Sequence, residues 1–290
     1  MEPRRGPPPA SGRTHLMASV VVDGAPIAYD IRGAGDPLVL IAGTGYPGAT
    51  WPPELIGPLA DRHTVVTFDH RGTGDSPPTA GRYSTRGFAA DTVGLFDALG
   101  LEAVTVVGHS MGGRVAQWVA LDHPHRVRSL VLAATGPGQF RDDKPVTRGI
   151  PIPTALGLIT RGYAGYMADH IAATFFTAEF VAASPDRVDW LVEAFWDHRP
   201  SLEEYLRHVV ARQEHQTAEL LDRISMPTLV LVGERDTHEG GTGVHRDQSG
   251  FLVDHIPDSR LETIPGTAHG YFWQDPDRSV ATLLAWTAAH

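Results

Sequence analysis

The hydrophobic pattern of the chain alternates between two periods from residue 37 to residue 133. Continuous apolar runs predict strands that are buried on both faces of a sheet, and these runs lie at 37–42, 64–68, 104–107 and 127–133. Segments with apolar residues at helical spacing separate the runs, and the clearest of them covers 84–99. Such alternation of strands and helices is typical of a parallel sheet covered by helices on both faces.

The pattern changes over residues 137–221, where helical spacing replaces the buried-strand runs. The predicted helices of this segment cover 165–183, 185–198 and 201–222. Strand patterns then resume at 228–232 and at 260–264. We therefore predict an α/β core with an inserted helical cap, or lid. The core comprises 18–136 and 222–290, and the cap comprises 137–221.

Residues 1–17 have a composition unlike that of the remaining chain. They are rich in proline, glycine and arginine, and they lack the apolar segment of a secretory signal. Such a composition buries too little apolar surface to order a chain, so we predict a disordered tail. No apolar run approaches the roughly 18 residues needed to span a bilayer. We expect a cytoplasmic protein that does not enter a membrane.

Charge and composition exclude several classes of function. The 290 residues carry a formal net charge of −10, which argues against nucleic-acid binding because such proteins present basic surfaces. Cysteine is absent, so disulfides, thiol nucleophiles and thiolate metal sites are excluded. A small molecule is the expected partner, and a homodimer is compatible with the sequence.

A Gly-x-Ser-x-Gly pentapeptide, Gly108 to Gly112, joins the run at 104–107 to a helix-periodic segment. A strand that turns abruptly into a helix strains the backbone at one residue, and the two glycines let the chain segments pass without Cβ clashes. The turn exposes the hydroxyl of Ser110 beside the free N–H groups of a helix N-terminus. Ser110 is therefore the predicted nucleophile.

A serine hydroxyl needs a base, and the base needs a partner that fixes its tautomer. Asp236 follows the run at 228–232, and His269 follows the run at 260–264. Functional groups of a parallel sheet gather at the carboxyl ends of its strands, so we expect both side chains beside Ser110. An aspartate at a strand end is also commonly a turn or helix cap. We predict His269 as the base and Asp236 as the acid that orients it.

Four ordered motifs make the chain similar to a known family. They are Gly-His-Ser-Met-Gly-Gly at 108–113, Asp-x-Arg-Gly-x-Gly-x-Ser at 69–76, Gly-Glu-x-Asp at 233–236 and Gly-x-x-His at 266–269. With them the sequence resembles the α/β-hydrolase fold family, in its esterase and lactonase-like branches, over residues 19–288. The resemblance implies an eight-stranded, mostly parallel sheet flanked by helices, with a lid inserted between the sixth and seventh strands.

The resemblance also implies an oxyanion hole made of two backbone N–H groups. One belongs to the residue after the nucleophile, here Met111, and the other to the loop after the first parallel strand. That loop reads Ala42-Gly43-Thr44, where the family commonly has His-Gly-x. We expect the Thr44 N–H as the second donor, with Gly45 as the alternative. Donors of this kind stabilise the charge that develops during reaction.

These residues imply a serine hydrolase without a cofactor, which cleaves a carboxylic ester or lactone of a small, largely apolar molecule through an acyl-enzyme. A serine at position 110 argues against epoxide hydrolases and haloalkane dehalogenases, whose relatives use aspartate there. Two other reactions stay open: carbon–carbon bond hydrolysis of a diketone, whose enzymes share the Ser-Met-Gly-Gly elbow, and perhydrolysis without a cofactor. A ligand-binding receptor on a hydrolase scaffold is the non-enzyme alternative, against which the full set of Ser110, Asp236 and His269 argues.

Aromatic residues near these motifs are candidates for the substrate pocket. They are Tyr46, Phe175, Trp196 and Tyr271. Most aromatic residues of 137–221 are expected to pack the lid on the core. No metal is predicted, because His238, Glu239 and His245 lie in one glycine-rich segment without a compact ligand spacing.

Charged and polar residues close to the elbow have simpler interpretations. Asp69, Arg71 and Asp75 are expected to brace their own loop. His109 precedes the nucleophile, and we expect its ring to pack in the interior.

Overall fold

The computed structural model describes residues 17–141, 148–237 and 244–290. The predicted tail, apart from Met17, lies outside the described residues, and so do His238 and Glu239. The expectations for these parts of the chain therefore stay predictions.

The described residues form one eight-stranded sheet. Its strands are β1 (Ala18–Val22), β2 (Ala25–Arg32), β3 (Asp36–Ile41), β4 (His63–Phe68), β5 (Val104–His109), β6 (Val127–Ala133), β7 (Thr228–Gly233) and β8 (Ser259–Ile264). Their spatial order is β1-β2-β4-β3-β5-β6-β7-β8. Strand β2 runs antiparallel to β1 and β4, and the other neighbours are parallel. The predicted eight-stranded, mostly parallel sheet is confirmed.

Helices flank the sheet. They are α1 (Pro53–Ala60), α2 (Thr85–Leu99), α3 (Met111–Asp122), α4 (Ile152–Phe175), α5 (Ala178–Ala183), α6 (Pro185–Asp197), α7 (Leu202–Gln213), α8 (His245–His255), α9 (Tyr271–Gln274) and α10 (Pro276–Ala289). Helices α4 to α7 fall between β6 and β7, within the segment predicted as the lid. Across the three described ranges, no helix is both long and apolar enough to cross a membrane.

The two faces of the sheet bury separate hydrophobic cores. Successive side chains of a strand point to opposite faces. Strand β3 shows this division, because Leu38 and Leu40 pack in one core while Val39 and Ile41 pack in the other. All six residues of β5 are buried. Covering on both faces explains why these strands read as continuous apolar runs.

Helix α2 begins and ends where its sequence signals lie. Ser84 is the N-cap, and its side chain accepts a hydrogen bond from Gly87 N at 3.0 Å. Phe88 and Phe96, on the predicted apolar face, are buried. Gly100 ends the helix with φ 66°, a left-handed conformation that costs glycine little because it has no Cβ.

The helices between β6 and β7 have other boundaries than those predicted. The prediction of one continuous helix over 165–183 is wrong, because α4 ends at Phe175 and α5 begins after Thr177. The Thr177 side chain accepts a hydrogen bond from Phe180 N at 3.3 Å and so caps a new helix. Apolar spacing continues across this break, which is why the pattern by itself did not reveal it.

Candidate active site

Ser110 occupies the turn between β5 and α3. Its backbone has φ 57° and ψ −118°, a strained conformation for a residue with a side chain. A Cβ on Gly108 would lie 2.3 Å from the carbonyl oxygen of Gly112, and a Cβ on Gly112 would lie 2.0 Å from that of Ile41. Ser110 N donates a hydrogen bond to Ala133 O at 2.8 Å. These contacts explain why the pentapeptide needs a glycine on each side of the serine.

Asp236 and His269 come together at the carboxyl edge of the sheet, the edge at which Ser110 also lies. Asp236 follows β7 in a turn, and its backbone N–H donates a hydrogen bond to Gly233 O at 3.1 Å. His269 follows β8, and its Nδ1 donates a hydrogen bond to Asp236 Oδ2 at 2.9 Å. Both residues are buried. The contact uses Nδ1 of the imidazole.

The carboxyl group of Asp236 is ionised in these surroundings. Burial raises its pKa, but His269 and His245 outweigh burial and hold that pKa well below its usual range. Burial lowers the pKa of His245 to about 4, although Asp236 opposes the shift. His245 is therefore neutral near neutral pH, and one carboxylate faces two imidazoles.

Aromatic rings border the imidazole of His269. The ring centroids of His245, His109 and Phe175 lie 4.5, 4.8 and 5.5 Å from its centroid. His109 was expected only to pack, but its Nε2 also donates to the backbone carbonyl of His269 at 3.0 Å. Burial lowers the pKa of His109 well below its usual range, so this ring stays neutral. Together these contacts restrict the orientation of His269.

Sequence reasoning weighed His245 only as a metal ligand and did not place it beside Asp236. His245 is the first residue of α8, it is 3% exposed, and its Nδ1 lies 3.4 Å from Asp236 Oδ1. In the sequence it is one of several histidines near a glycine-rich segment, and no spacing relates it to Asp236. Helix α8 was not predicted, and the start of that helix is what brings the ring against the carboxylate.

The loop after β3 passes directly beside Ser110. A Cβ on Gly43 would lie 3.3 Å from Ser110 Cβ and 3.7 Å from its Oγ, so a side chain there would crowd the hydroxyl. The loop turns over residues 43–46, which include Thr44, through a backbone hydrogen bond of 3.2 Å. Met111 is the first residue of α3, where N–H groups have no partner within the helix. Both segments expected to supply oxyanion donors therefore border Ser110.

Tyr46 and Phe175, both predicted as pocket residues, pack on each other close to His269. Their ring centroids are 5.0 Å apart, and Tyr46 also lies 5.2 Å from the ring of Phe195. These three side chains are buried. The loop after β3 and helices α4 and α6 thus bring aromatic surface together near His269.

The other two predicted pocket residues have different surroundings. Trp196 is partly buried, and the guanidinium of Arg199 lies 4.0 Å from its ring centroid. Tyr271 is fully buried, and its hydroxyl donates a hydrogen bond to Leu231 O at 3.1 Å. These contacts are those of a core side chain, and the pocket role of Tyr271 stays a prediction.

The 69–76 segment braces neighbouring loops, as expected from its charges. Asp69 accepts hydrogen bonds from Gly48 N at 2.6 Å and from Asp75 N at 2.9 Å, which ties the loop after β3 to the loop after β4. Arg71 binds both carboxylate oxygens of Asp91 at 2.6 and 2.5 Å. These contacts brace the loops that border the site.

Several polar side-chain atoms around the loop after β3 and helix α7 are buried without a hydrogen-bond partner in the described part of the chain. Among them are Thr44 Oγ1, Tyr46 Oη and Arg212 Nε. Burial lowers the pKa of Arg212, and Tyr205 opposes that shift. Tyr205 in turn packs on the loop, since a Cβ on Gly45 would lie 2.7 Å from its ring. Buried polar atoms normally have partners, so this region suits a ligand with polar groups.

Asp236, His245 and His269 also have the composition of a metal site. Their ligand atoms lie within 4.8 Å of one another, and no other such group occurs within residues 17–141, 148–237 and 244–290. The 2.9 Å between His269 Nδ1 and Asp236 Oδ2 is the usual length of an N–H···O hydrogen bond. A shared proton at this position keeps a catalytic base in its working tautomer, so the geometry fits a hydrogen-bonded group.

Comparison of the sequence with known families and proteins gives matches over most of its length. The profile of a family described as alpha/beta hydrolase fold matches residues 36–276. A putative carbamate hydrolase, RutD, from Azorhizobium caulinodans is 30% identical over 265 residues, which is 90% of this chain and 95% of that protein.

Solved structures superpose over nearly the whole chain. An enol-lactonase from Burkholderia xenovorans LB400 gives a TM-score of 0.80 at 23% identity and covers 93% of this chain and 100% of its own. Est816, an N-acyl homoserine lactone degrading enzyme, gives a TM-score of 0.75 at 27% identity, with 92% of this chain and 99% of its own covered. The enol-lactonase supports the fold alone, because its identity is low.

Proposed function

This chain belongs to the alpha/beta hydrolase fold family, and on that premise we propose that it is a serine hydrolase of a carboxylic ester or lactone. Ser110 Oγ attacks the substrate carbonyl carbon while its proton passes to His269 Nε2. The tetrahedral intermediate collapses to an acyl-enzyme as that proton moves to the leaving alkoxide. Water, deprotonated by His269, then attacks the acyl carbon, the acid leaves, and the proton returns to Ser110.

The hydrogen bond between His269 and Asp236 is the observation that carries this proposal. With the proton of the neutral imidazole on Nδ1, at 2.9 Å from Asp236 Oδ2, Nε2 is unprotonated, as a general base requires. The ionised carboxylate then stabilises the imidazolium that forms when Ser110 gives up its proton. The strained backbone of Ser110 on the turn between strand and helix supports its role as the attacking group.

The negative oxygen of the tetrahedral intermediate needs preorganised donors. We propose the backbone N–H groups of Met111 and Thr44 for this role. Met111 lies at the N-terminus of α3, where the helix dipole also favours negative charge. Gly43 supports the assignment, because its missing side chain lets the loop that carries Thr44 approach Ser110.

The surroundings of the site bear on the substrate. Tyr46 and Phe175 offer aromatic surface to an acyl group, whereas Thr44 Oγ1 and Arg212 Nε are buried polar atoms that suit a second polar group. We infer a small substrate with an apolar part and a carbonyl flanked by further oxygens. The lactone-degrading enzyme at 27% identity supports a lactone within this class.

A hydrolysis assay on wild type and Ser110→Ala tests the proposal. The substrates are a short-chain p-nitrophenyl ester, an N-acyl homoserine lactone and a simple γ-lactone. Ser110→Ala should lose at least about 1,000-fold in kcat because removing the nucleophile disables the triad as a unit. Ser19→Ala, which alters an exposed serine of β1, serves as the matched control and should keep wild-type activity. Undiminished turnover by Ser110→Ala would refute the assignment.

Carbamate hydrolysis is a second candidate reaction. It is supported by the 30% identity to a putative carbamate hydrolase over 95% of that protein. The same attack on a carbonyl carbon applies, with an amine or an alcohol as the leaving group. A carbamate in the substrate panel separates the two reactions by their relative kcat/KM.

Further assays test the remaining alternative functions. A vinylogous diketone tests carbon–carbon bond hydrolysis, and a carboxylic acid with hydrogen peroxide tests perhydrolysis. A fluorophosphonate probe distinguishes an enzyme from a binding protein, because it labels an activated serine. Folded wild type without labelling and without turnover of any substrate would favour a binding protein.

A further inference from the structure

His245 shares the carboxylate of Asp236 with His269. Its Nδ1 lies 3.4 Å from Oδ1, whereas His269 Nδ1 is hydrogen-bonded to Oδ2 at 2.9 Å. Each carboxylate oxygen thus faces one imidazole. His245 and Asp236 are 3% and 1% exposed, so the contact is shielded from water.

His245 also touches the base itself. The two imidazole rings stack with centroids 4.5 Å apart and an interplanar angle of 27°. A ring in this position limits rotation of His269 about the bond that carries its imidazole. The same side chain therefore acts on the base through the carboxylate and through direct packing.

We propose that His245 is a positioning residue for the proposed hydrolase reaction, holding the Asp236 carboxylate through the polar contact of its Nδ1 with Oδ1 at 3.4 Å and holding the ring of His269 by stacking. The inference rests on the proposed function, since it concerns how the base of that reaction is oriented. In this role His245 transfers no proton and acts through Asp236 and His269. It adds a fourth side chain, from α8, to a unit otherwise formed by the ends of β5, β7 and β8.

The charged groups around His245 favour its neutral imidazole over the imidazolium. The ionisable groups that face it are Asp236 after β7, His269 after β8 and Arg114 on α3. Burial, His269 and Arg114 together outweigh Asp236 and lower the pKa of His245 to about 4. On α8 itself, Arg246 and Asp247 come next and are exposed. A neutral imidazole beside His269 avoids repulsion when His269 becomes an imidazolium.

Two substitutions separate the two contacts. His245→Asn keeps an N–H near the position of Nδ1 but removes the ring, and His245→Phe keeps a ring but removes the N–H. Without the N–H, Asp236 holds more negative charge and stabilises protonated His269 more strongly. The acidic limb of the kcat/KM profile should then move to higher pH by about half a unit to one unit in His245→Phe and stay near wild type in His245→Asn.

The rates should follow the same logic. With the p-nitrophenyl ester, kcat per fluorophosphonate-labelled serine should fall about tenfold to a hundredfold in His245→Phe and less in His245→Asn, a range typical of residues that support active-site groups. KM should change little, because His245 does not contact substrate. Counting labelled serines removes the effect of any misfolded fraction.

His208→Asn is the matched control for losing a buried histidine. His208 lies in α7, with its Nε2 2.8 Å from Arg71 O and its ring packed on Phe88. This variant should keep both the acidic limb and the kcat per labelled site. An acidic limb that moves equally in His208→Asn and His245→Phe would overturn the proposal.

A second outcome would also overturn the proposal. In it, a smaller fraction of His245→Phe protein reacts with the fluorophosphonate probe, but the protein that does react keeps the wild-type kcat and pH profile. His245 would then serve folding alone. These outcomes concern only the variants. A wild-type protein that neither turns over the ester nor labels at Ser110 would instead refute the proposed function, and this inference with it.

Discussion

Asp236→Asn is the change that most directly tests the orientation of the base. The amide keeps the shape of the carboxylate but has one oxygen and one NH2 group to offer. If the NH2 faces His269 Nδ1, that nitrogen must accept, the proton moves to Nε2, and His269 no longer accepts the proton of Ser110. If the amide oxygen faces His269, the tautomer survives, but the NH2 then faces His245, which must accept at its own Nδ1.

The two distances set the size of the expected loss. The contact to His269 is 2.9 Å and that to His245 is 3.4 Å, so the amide can keep the shorter contact at the expense of the longer one. In both orientations the negative charge beside the imidazolium is lost. For a serine hydrolase triad this substitution costs about 10,000-fold in kcat when the wrong tautomer results. We expect a loss of about 1,000- to 10,000-fold in Asp236→Asn, or about 4–5 kcal/mol in the activation free energy.

The assay is kcat and kcat/KM for the p-nitrophenyl ester, with thermal unfolding and circular dichroism to confirm that the variant is folded. Glu234→Gln is the matched control. Glu234 lies two residues before Asp236 and accepts a hydrogen bond from Gly266 N at 2.7 Å, so it links the same two strand ends without touching a histidine. It should retain activity within about twofold of wild type, since exposed polar changes usually act weakly. A loss below tenfold in a folded Asp236→Asn variant would refute the role of Asp236.

Two further predictions concern the fold around the site. Gly112→Ala should destabilise the protein by about 1–3 kcal/mol in chemical denaturation, because the new Cβ would lie 2.0 Å from Ile41 O. Gly250→Ala within α8 is the matched control: its Cβ meets nothing within 4 Å, so it should stabilise the protein by about 0.5–1 kcal/mol. Equal changes in the free energy of unfolding for the two variants would contradict this reasoning. Burial lowers the pKa of His208 from 6.5 to about 4, so between these pH values the unfolded chain binds the proton that the fold excludes, and stability is lost as pH falls. The stability difference between wild type and His208→Asn should therefore change by about 3 kcal/mol across that window, and a difference independent of pH would argue against a neutral, buried His208.

Much of the architecture was predictable because it depends on local patterns. A strand buried on both faces must be apolar throughout, so β3, β5, β6 and β7 were visible as continuous runs. Strand ends and glycine-flanked turns likewise marked Ser110, Asp236 and His269 as residues of one sheet edge. Helix boundaries were less predictable, as the break at Thr177 shows, because apolar spacing does not reveal where a side chain replaces a backbone hydrogen bond.

Strand burial and abrupt turns impose residue types within a few positions, so the sheet and the strand ends that carry Ser110, Asp236 and His269 could be read from local patterns. Which other side chains meet these three residues depends on tertiary packing. His245 reaches Asp236 because α8 begins at that residue, and Phe175 borders His269 while Trp196 packs on Arg199. Such contacts depend on how separate elements pack against each other, and the periodicity of one element carries no information about the surface it meets.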